Sequence, residues 1–295
     1  MKNIIVVTGG AGFVGTNLIY FLLKNSNCKI LSLDNYSSGT KKNHIKNKRI
    51  KYIKGNTKDI SKILDSKKQK INAIFHFGEF ARIYQSFLSM GECIDSNTVG
   101  SHAVFNFCLN YKIKLIYSAT SASLGNKGRD KDLSPYAFTK SINLELLENL
   151  KRWFKMKYEI IYFYNVYGPN QISTGKMATV IGIFEEAYKD KKPLTVVKPG
   201  TQSRKFTHIK DTVKVCFDAW KKNKCLHYSI SSKKDYTILE VAKLFGSKIR
   251  ILPARDGERY ASALTNMNLT NKVHQIFGRI ELKSYIDNFK KSLKK

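Results

Sequence analysis

Tyr136 and Lys140 form a pair of residues that could move a proton. They lie four residues apart in a segment whose apolar residues recur at helical spacing, so both side chains are expected on one helix face. A tyrosine phenol ionises at about pH 10 and is a poor base at neutral pH, but a neighbouring ammonium stabilises the phenolate. A Ser/Thr-rich segment at 117–121 comes shortly before, and one of its hydroxyls could hold the reacting oxygen. The alternative is an ordinary amphipathic helix start.

A glycine-rich turn near the N-terminus is typical of a phosphate site. Gly9, Gly12 and Gly15 have the spacing G-x-x-G-x-x-G between an apolar run and a helical pattern. Glycine permits the sharp turn and the close approach of a diphosphate, and a helix N-terminus attracts negative charge. Asp34 ends the next apolar run, where a carboxylate can bind an adenosine ribose and repels a 2′-phosphate. The pattern predicts NAD rather than NADP, whereas the alternative for Asp34 is to cap a turn with Asn35.

The elements that would position these residues alternate between short apolar runs and longer amphipathic stretches. This alternation predicts an α/β fold, a Rossmann-type doubly wound parallel sheet with a smaller C-terminal α/β substrate-binding domain. We expect the NAD-binding domain over 1–165, rejoined by about 206–231, and the substrate-binding portion over 166–295. The expected strands are 4–7, 30–33, 50–53, 73–77, 115–117, 160–164 and 226–230, and the expected helices are 13–23, 60–68, 92–109, 135–155 and 208–220.

The charge balance is strongly basic. Lys and Arg number 52 against 22 Asp and Glu, so the formal net charge is +30. Such a charge could indicate a nucleic-acid or membrane-surface partner, or only a lysine-rich solvated surface. One dense basic stretch lies at 41–54, but no zinc-finger spacing or RNA-stacking signature accompanies it. We therefore expect neither a nucleic-acid partner nor a membrane span, and the positive field would favour a small substrate that carries phosphate.

The cysteines show no spacing that would hold a metal ion. Their intervals are irregular and their number is odd, which favours free thiols in a reducing cytoplasm. The expected location is therefore cytoplasmic and no metal site is expected. The five cysteines are Cys28, Cys93, Cys108, Cys216 and Cys225.

An ordered set of motifs covers nearly the whole chain. The motifs are TGGAGFVG, LDN, HFGEF, NTVGS, YSATS, SPYAFTK, YNVYGPNQ and RKFTHIKD. In this order they resemble the extended short-chain dehydrogenase/reductases, within them the NAD-dependent epimerase/dehydratase family, and most of all relatives of UDP-glucose 4-epimerase. The resemblance implies a bound NAD cofactor, a nucleotide-sugar substrate with a UDP-sugar favoured, and a homodimer built on the helices near 92–109 and 135–155.

The resemblance also implies which residues contact NAD. The turn glycines would hold its diphosphate and Asp34 its adenosine ribose, while Lys140 would bind the nicotinamide ribose. Asn56 stands where the family has an acid near the adenine, and Ala81 where 4-epimerases often have a lysine. The implied cofactor-binding set is Gly9, Gly12, Phe13, Val14, Gly15, Asp34, Asn35, Asn56, Thr57, Phe77, Gly78, Asn97, Ser118, Tyr136 and Lys140.

The catalytic and substrate residues follow from the same match. Thr120 corresponds to the catalytic Ser/Thr, Tyr136 to the acid/base, and Lys140 to the lysine that supports it. Arg204 and Arg255 correspond to arginines that grip the nucleotide diphosphate, although in so basic a chain they could also be plain surface residues. The implied substrate-binding set is Glu79, Arg82, Thr120, Tyr136, Asn165, Arg204 and Arg255.

The implied reaction is epimerisation of a UDP-sugar at C4 by transient oxidation with bound NAD. Residues 119–121 read Ala-Thr-Ser instead of the Thr-Asp-Glu of 4,6-dehydratases, so an acid pair for eliminating water is missing there. Other NAD-dependent reactions on a nucleotide sugar remain open: reduction, dehydration or decarboxylation. A non-catalytic nucleotide- or RNA-binding protein and a structural oligomer without cofactor are further alternatives, against which the Tyr136 and Lys140 pair argues.

Overall fold

The main sheet of the protein consists of parallel strands, as a computed structural model of the chain shows. The structure describes residues 3–123, 131–224, 226–254 and 273–293. Within these residues, eight strands form the main sheet in the order β13-β10-β6-β5-β4-β1-β2-β3. The strands are β1 (Ile4–Thr8), β2 (Lys29–Asp34), β3 (Ile50–Lys54), β4 (Ile71–His76), β5 (Lys114–Thr120), β6 (Tyr158–Phe163), β7 (Asn165–Tyr167), β8 (Leu194–Val197), β9 (Ser203–His208), β10 (His227–Ser231), β11 (Asp235–Thr237), β12 (Ile249–Leu252) and β13 (Val273–Phe277).

Helices cover both faces of this sheet. The helices are α1 (Phe13–Asn25), α2 (Ile60–Leu64), α3 (Ile83–Leu88), α4 (Met90–Ile94), α5 (Ser101–Asn110), α6 (Pro135–Phe154), α7 (Val180–Lys189), α8 (Ile209–Lys222), α9 (Ile238–Phe245) and α10 (Leu282–Ser292). Successive side chains of a strand point to opposite faces. Thus Ile4 and Val6 pack in the core beneath α2, α5 and α6, and Ile5 and Val7 pack in the core beneath α1 and α8. The predicted doubly wound sheet is confirmed.

A smaller lobe is built from the second half of the chain. Strands β7, β9 and β11 form one small sheet, and β8 and β12 form another. Helices α7, α9 and α10 enclose a separate apolar core around Phe184, Phe206 and Phe245. Strand β10 pairs with β6 of the main sheet, and β13 pairs with β10, so the chain leaves the main sheet and returns to it.

Some elements differ from the sequence expectations. The helix expected over 60–68 ends at Leu64 and continues as the 3-10 helix Asp65–Lys70. The helix expected over 92–109 is a helical stretch from α4 to α5 that is interrupted by the π-helix Asp95–Gly100. No strand was expected at the position of β13. None of the helices in the described part of the chain is long and apolar enough to cross a lipid bilayer.

Candidate active site

A cavity of about 500 Å³ opens at the carboxyl ends of β1, β2, β4, β5 and β6, where the main sheet meets the smaller lobe. Ligands of doubly wound folds bind at this edge of the sheet. Arg255, which the sequence analysis placed on the substrate, lies outside the described residues. The other expected residues that line the cavity are Gly9, Gly12, Phe13, Val14, Gly15, Asp34, Asn35, Asn56, Thr57, Phe77, Gly78, Glu79, Arg82, Ser118, Thr120, Tyr136, Lys140, Asn165 and Arg204.

The glycine turn between β1 and α1 leaves the backbone open toward the cavity. Gly9 has a φ of +68°, and a Cβ there would lie 2.8 Å from the carbonyl atoms of Phe77. A Cβ on Gly15 would lie 2.1 Å from the Gly9 oxygen. Gly12 caps α1 without a side-chain hydrogen bond, and the first turn of this helix carries no acidic residue. The N–H groups that a helix leaves without partners at its start, together with the positive end of its dipole, therefore suit a diphosphate.

Asp34 ends β2 and lies at the edge of the cavity, where it is 6% exposed. Its Oδ2 accepts the backbone N–H of Ala11 at 2.9 Å, and its Oδ1 accepts that of Tyr36 at 2.7 Å. These bonds fix the carboxylate, and an ionised carboxylate has lone pairs for further donors. Asp34 thus stabilises the turn and still presents an acceptor to the cavity, so the capping role and a ribose contact are compatible.

The start of α6 presents Tyr136 and Lys140 to the cavity. Ser134 caps the helix with its hydroxyl, and Pro135 occupies the first helical position, where its fixed φ favours the helix. The two side chains are one turn apart, and Thr120 reaches the same cavity from the end of β5. The structure therefore brings together the phenol, the ammonium and the hydroxyl that the sequence analysis singled out.

Glu79 lines the cavity, but its carboxylate is engaged by the protein itself. Its side chain is 2% exposed and forms an ion pair with Lys140, whose side chain is 5% exposed. A direct contact of Glu79 with a sugar stays a prediction. The Lys140 ammonium also donates to the Ser118 carbonyl oxygen at 2.6 Å. The second Glu79 oxygen accepts hydrogen bonds from Ser101 at 2.7 Å, Tyr117 at 3.0 Å and Asn143 at 3.2 Å.

Burial keeps the neighbours of this ion pair uncharged near neutral pH. It lowers the pKa of His76 from its ordinary value to about 4. Burial, reinforced by the Glu79 carboxylate, raises the pKa of Tyr117 well above its ordinary value. Burial also raises the pKa of the Cys93 thiol. Each group loses hydration in its charged form, and this loss is the largest cause of the pKa shift in all three.

Asn97 is placed differently from most of the expected cofactor residues. It is fully buried in the π-helix Asp95–Gly100 and is not part of the cavity wall. Its Oδ1 accepts the N–H of Phe80 at 2.6 Å, and its Nδ2 donates to the Phe80 carbonyl at 3.1 Å. The side chain therefore acts on the loop that follows Glu79, and a direct contact with a cofactor stays a prediction.

Residues expected to hold a substrate line the other side of the cavity. Arg82 donates from Nε at 3.0 Å and from Nη2 at 2.6 Å to the carbonyl oxygen of Met177, which joins the two lobes. Asn165 donates to the carbonyl oxygen of Lys205 at 3.2 Å. Arg204 lies on β9 and is 8% exposed at the cavity. A guanidinium and an amide on one wall can bind oxygen-rich groups.

The sequence analysis missed the apolar wall that the smaller lobe contributes. In the sequence these residues look like ordinary core positions, so nothing marked them as part of a site. Among the residues that the structure describes, no cluster of His, Cys, Asp and Glu could hold a metal ion. The cavity therefore offers hydroxyls, charged groups and an apolar surface. The missed apolar residues are Ile172, Met177, Val180, Ile181, Phe184, Val197, Phe206 and Ile238.

Comparison with known sequences identifies relatives. The model of the NAD dependent epimerase/dehydratase family matches residues 5–246. A dTDP-D-glucose 4,6-dehydratase of Dictyostelium discoideum is 27% identical over 267 residues, which are 81% of this chain and 60% of that protein. An uncharacterised UDP-glucose epimerase of Bacillus subtilis is 29% identical over 229 residues, which are 71% of this chain and 70% of that protein. The chain thus spans less than two thirds of the length of the first relative.

Comparison with solved structures shows the same fold over nearly the whole chain. A UDP-glucose 4-epimerase of Thermotoga maritima, solved with UDP-glucose, superposes with a TM-score of 0.85. The superposition covers 98% of this chain and 99% of that chain at 23% sequence identity. At this identity, the likeness establishes the architecture and leaves the reaction to be argued from the site.

Proposed function

Because the chain belongs to the NAD-dependent epimerase/dehydratase family, we propose that it is an epimerase that inverts C4 of a UDP-sugar. The observation that carries the proposal is the meeting of Tyr136, Lys140 and Thr120 with the glycine turn in one cavity. The apolar wall and Arg204 on the far side suit a nucleotide with its diphosphate. The reacting sugar would lie between these two groups of residues.

NAD is the cofactor of the family. The open glycine turn, the start of α1 without an acidic residue and the Asp34 carboxylate fit its diphosphate and its adenosine ribose. When bound, NAD accepts a hydride from the sugar and returns it. Since the turn leaves no room for a Cβ at Gly9 or Gly15, the backbone itself shapes this half of the cavity.

Tyr136 acts as the base and then as the acid. As a phenolate it removes the proton of the sugar hydroxyl while Thr120 donates a hydrogen bond to the same oxygen, so the C4 carbon can become a ketone. Lys140 provides the positive charge that favours the phenolate. The ketone turns within the cavity, and Tyr136 returns the proton to the oxygen once the other face of C4 has been reduced. The net result is inversion of one hydroxyl.

The charges on the cavity wall favour epimerisation over dehydration. Among the described lining residues, the carboxylates are those of Asp34 and Glu79. Asp34 lies on the glycine-turn side, and Glu79 is held by Lys140. Beside Thr120 the wall carries Ala119 and Ser121, which supply no carboxylic acid for eliminating water. Dehydration is the second candidate, since the Dictyostelium relative carries a dehydratase name.

The proposal is tested with a panel of UDP-, dTDP-, GDP- and CDP-sugars. Product formation is followed by NMR, which distinguishes an epimer from a product that has lost water. Tyr136→Phe is expected to abolish turnover and to retain NAD, since it removes only the phenol oxygen. Tyr162→Phe is the matched control because it deletes a buried phenol oxygen that bonds His227 away from the cavity. Turnover that persists in Tyr136→Phe would refute the catalytic role.

We further propose that the protein forms a homodimer through α3, α4 and α6. This face exposes large apolar side chains, including Leu88 at 63%, Met90 at 55% and Phe138 at 52% exposure. Large apolar side chains exposed on helices that pack together favour an interaction surface. Phe138→Glu is expected to convert a dimer to a monomer in analytical ultracentrifugation, while Tyr20→Glu, at an exposed position on α1, leaves it dimeric. A wild-type protein that sediments as a monomer would overturn the proposal.

A further inference from the structure

The Glu79 carboxylate is the best-connected charged group beneath the cavity. Residues from α5, β5 and α6 hold one of its oxygens, and Lys140 holds the other. A buried carboxylate requires such partners, because an unpaired charge in the interior is strongly unfavourable. Because four donors on three secondary-structure elements hold the carboxylate, its orientation is fixed. The position of the carboxylate is therefore determined by the core and not by a ligand.

The same contacts restrict Lys140. An ammonium has three N–H donors. The Glu79 carboxylate takes one and the Ser118 carbonyl oxygen takes a second. The Lys140 Nζ also lies 4.8 Å from the centroid of the Tyr117 ring. Lys140 therefore has at most one donor for an oxygen in the cavity that it lines.

The ion pair also changes the electrostatic influence of Lys140. A carboxylate in contact with the ammonium cancels much of its field at any group that lies farther away. His76 on β4, Tyr117 on β5 and Cys93 on α4 face this pair and are kept neutral by burial. Arg82 also interacts electrostatically with Tyr136.

We propose that Glu79 is a positioning residue that fixes the Lys140 ammonium and offsets its charge, so that Tyr136 works as a base at a higher pH than it would beside an unpaired Lys140. The inference rests on the proposed roles of Tyr136 and Lys140. It differs from them in assigning part of the control to a carboxylate that touches neither the sugar nor the cofactor.

The test measures Tyr136 directly in the NAD-saturated protein. The ultraviolet absorbance of the phenolate is titrated with pH, and subtraction of the matching Tyr136→Phe protein isolates the signal of this residue. Glu79→Gln keeps the shape of the side chain and removes its charge. Its midpoint is expected about one pH unit below that of the wild type, because the ammonium is no longer offset. The acid limb of kcat/KM is expected to move in the same direction.

A second buried ion pair supplies the control. Lys114 and Glu159 are 3.1 Å apart with side chains 9% and 0% exposed. They lie at the opposite end of β5 from Thr120, about 20 Å away at the rise of a strand. Glu159→Gln breaks a comparable buried pair and is expected to leave the Tyr136 midpoint unchanged. Equal midpoints in wild type, Glu79→Gln and Glu159→Gln would overturn the inference.

A double variant keeps the inference testable if Glu79→Gln does not fold. Glu79→Gln with Lys140→Met removes both charges, and its midpoint is expected within about half a pH unit of the wild type. If Lys140 acted alone, this variant would titrate more than about one unit higher, which would also overturn the inference. Failure to turn over any nucleotide sugar would refute the proposed function, whereas turnover with equal midpoints refutes only the role of Glu79.

Discussion

Alanine substitutions in the glycine turn distinguish two roles of its glycines. We expect Gly15 to be required for the stability of the fold and Gly12 for the binding of the cofactor. In Gly15→Ala, the new Cβ would lie 2.1 Å from the Gly9 oxygen and 2.7 Å from the Gly10 Cα. Both neighbours are backbone atoms at the junction of β1 and α1, so no side chain can move aside. Contacts of carbon with backbone atoms below 3.0 Å essentially never occur. The start of α1 must therefore shift away from the end of β1.

We expect Gly15→Ala to lower the free energy of unfolding by about 3 kcal/mol. Overpacking of a rigid site costs about 1–3 kcal/mol and sometimes more, and alanine recovers less than about 1 kcal/mol through the unfolded chain. A loss of 3 kcal/mol corresponds to a fall in Tm of about 5–10 °C for a chain of this size. The fall is expected without any cofactor, because the overlap lies within the protein.

Gly12→Ala is the matched comparison. A Cβ there would meet only the Gly9 oxygen, at 3.2 Å, and otherwise open space on the cavity side. Its Tm without cofactor is expected to change by less than about 3 °C, since alanine is only a modestly poorer N-cap than glycine. Its affinity for NAD is expected to fall at least about tenfold, because a methyl group would separate the diphosphate from the helix N–H groups.

Calorimetry measures both quantities, by thermal unfolding without cofactor and by titration with NAD. We expect Gly15→Ala to unfold at a lower temperature than the wild type even without NAD, and Gly12→Ala to lose affinity for NAD while keeping its stability. If Gly15→Ala melted like the wild type, the backbone contact between residues 9 and 15 would not limit the turn. If Gly12→Ala bound NAD normally, the diphosphate would not lie over the start of α1.

Two further predictions concern buried charges. Glu159→Gln should lower the free energy of unfolding by about 3 kcal/mol in denaturant titrations, because Lys114 keeps its charge and loses its carboxylate; an unchanged midpoint would contradict this. Burial lowers the pKa of His208 to about 4. Between this value and about pH 6.5, the folded protein therefore binds fewer protons than the unfolded chain. The stability that is present above about pH 6.5 is lost as the pH falls toward 4. His208→Asn keeps a hydrogen-bond acceptor at the start of α8. The free energy of unfolding that is lost between neutral pH and pH 4.5 should be smaller in this variant by about 2 kcal/mol. If the Tm of the variant fell with pH as steeply as that of the wild type, this prediction would be wrong.

The parallel sheet could be predicted because its strands are buried on both faces. Runs such as Ile4–Thr8 are apolar throughout, so period and length alone identified the first six strands. Strand β13 carries a half-exposed burial pattern and mixed polarity, which gave no comparable signal. The placement of Tyr136 and Lys140 on one helix at the cavity could likewise be predicted, since they lie one helical turn apart and their relation is local.

The partners of Glu79 could not be predicted, because they come from distant parts of the chain. Lys140 is 61 residues away and Ser101 is 22 residues away, and only the tertiary fold brings both to Glu79. From the sequence, a carboxylate beside HF resembled a residue that faces the substrate. The π-helix Asp95–Gly100 has a similar origin, since Asn97 is held by the backbone of Phe80 and not by its own neighbours.

The glycine turn and Lys140 are joined by one buried chain of hydrogen bonds. Ser101 donates to Glu79 and must accept from Nε2 of His76, 3.0 Å away. Neutral His76 then has no proton on Nδ1, which accepts from the Thr8 hydroxyl at 2.7 Å. Thr8 directly precedes Gly9 and in turn accepts two N–H groups of residues 77 and 78.

The order of the protons along this chain holds only while His76 is neutral. Protonation of His76 would give Nδ1 a donor that faces the Thr8 hydroxyl, and Thr8 would have to surrender an N–H bond to accept it. The burial that excludes water from His76 therefore also maintains the geometry from the glycine turn to Lys140. Removing any member should disturb both ends, so the effects of two such substitutions are not expected to add.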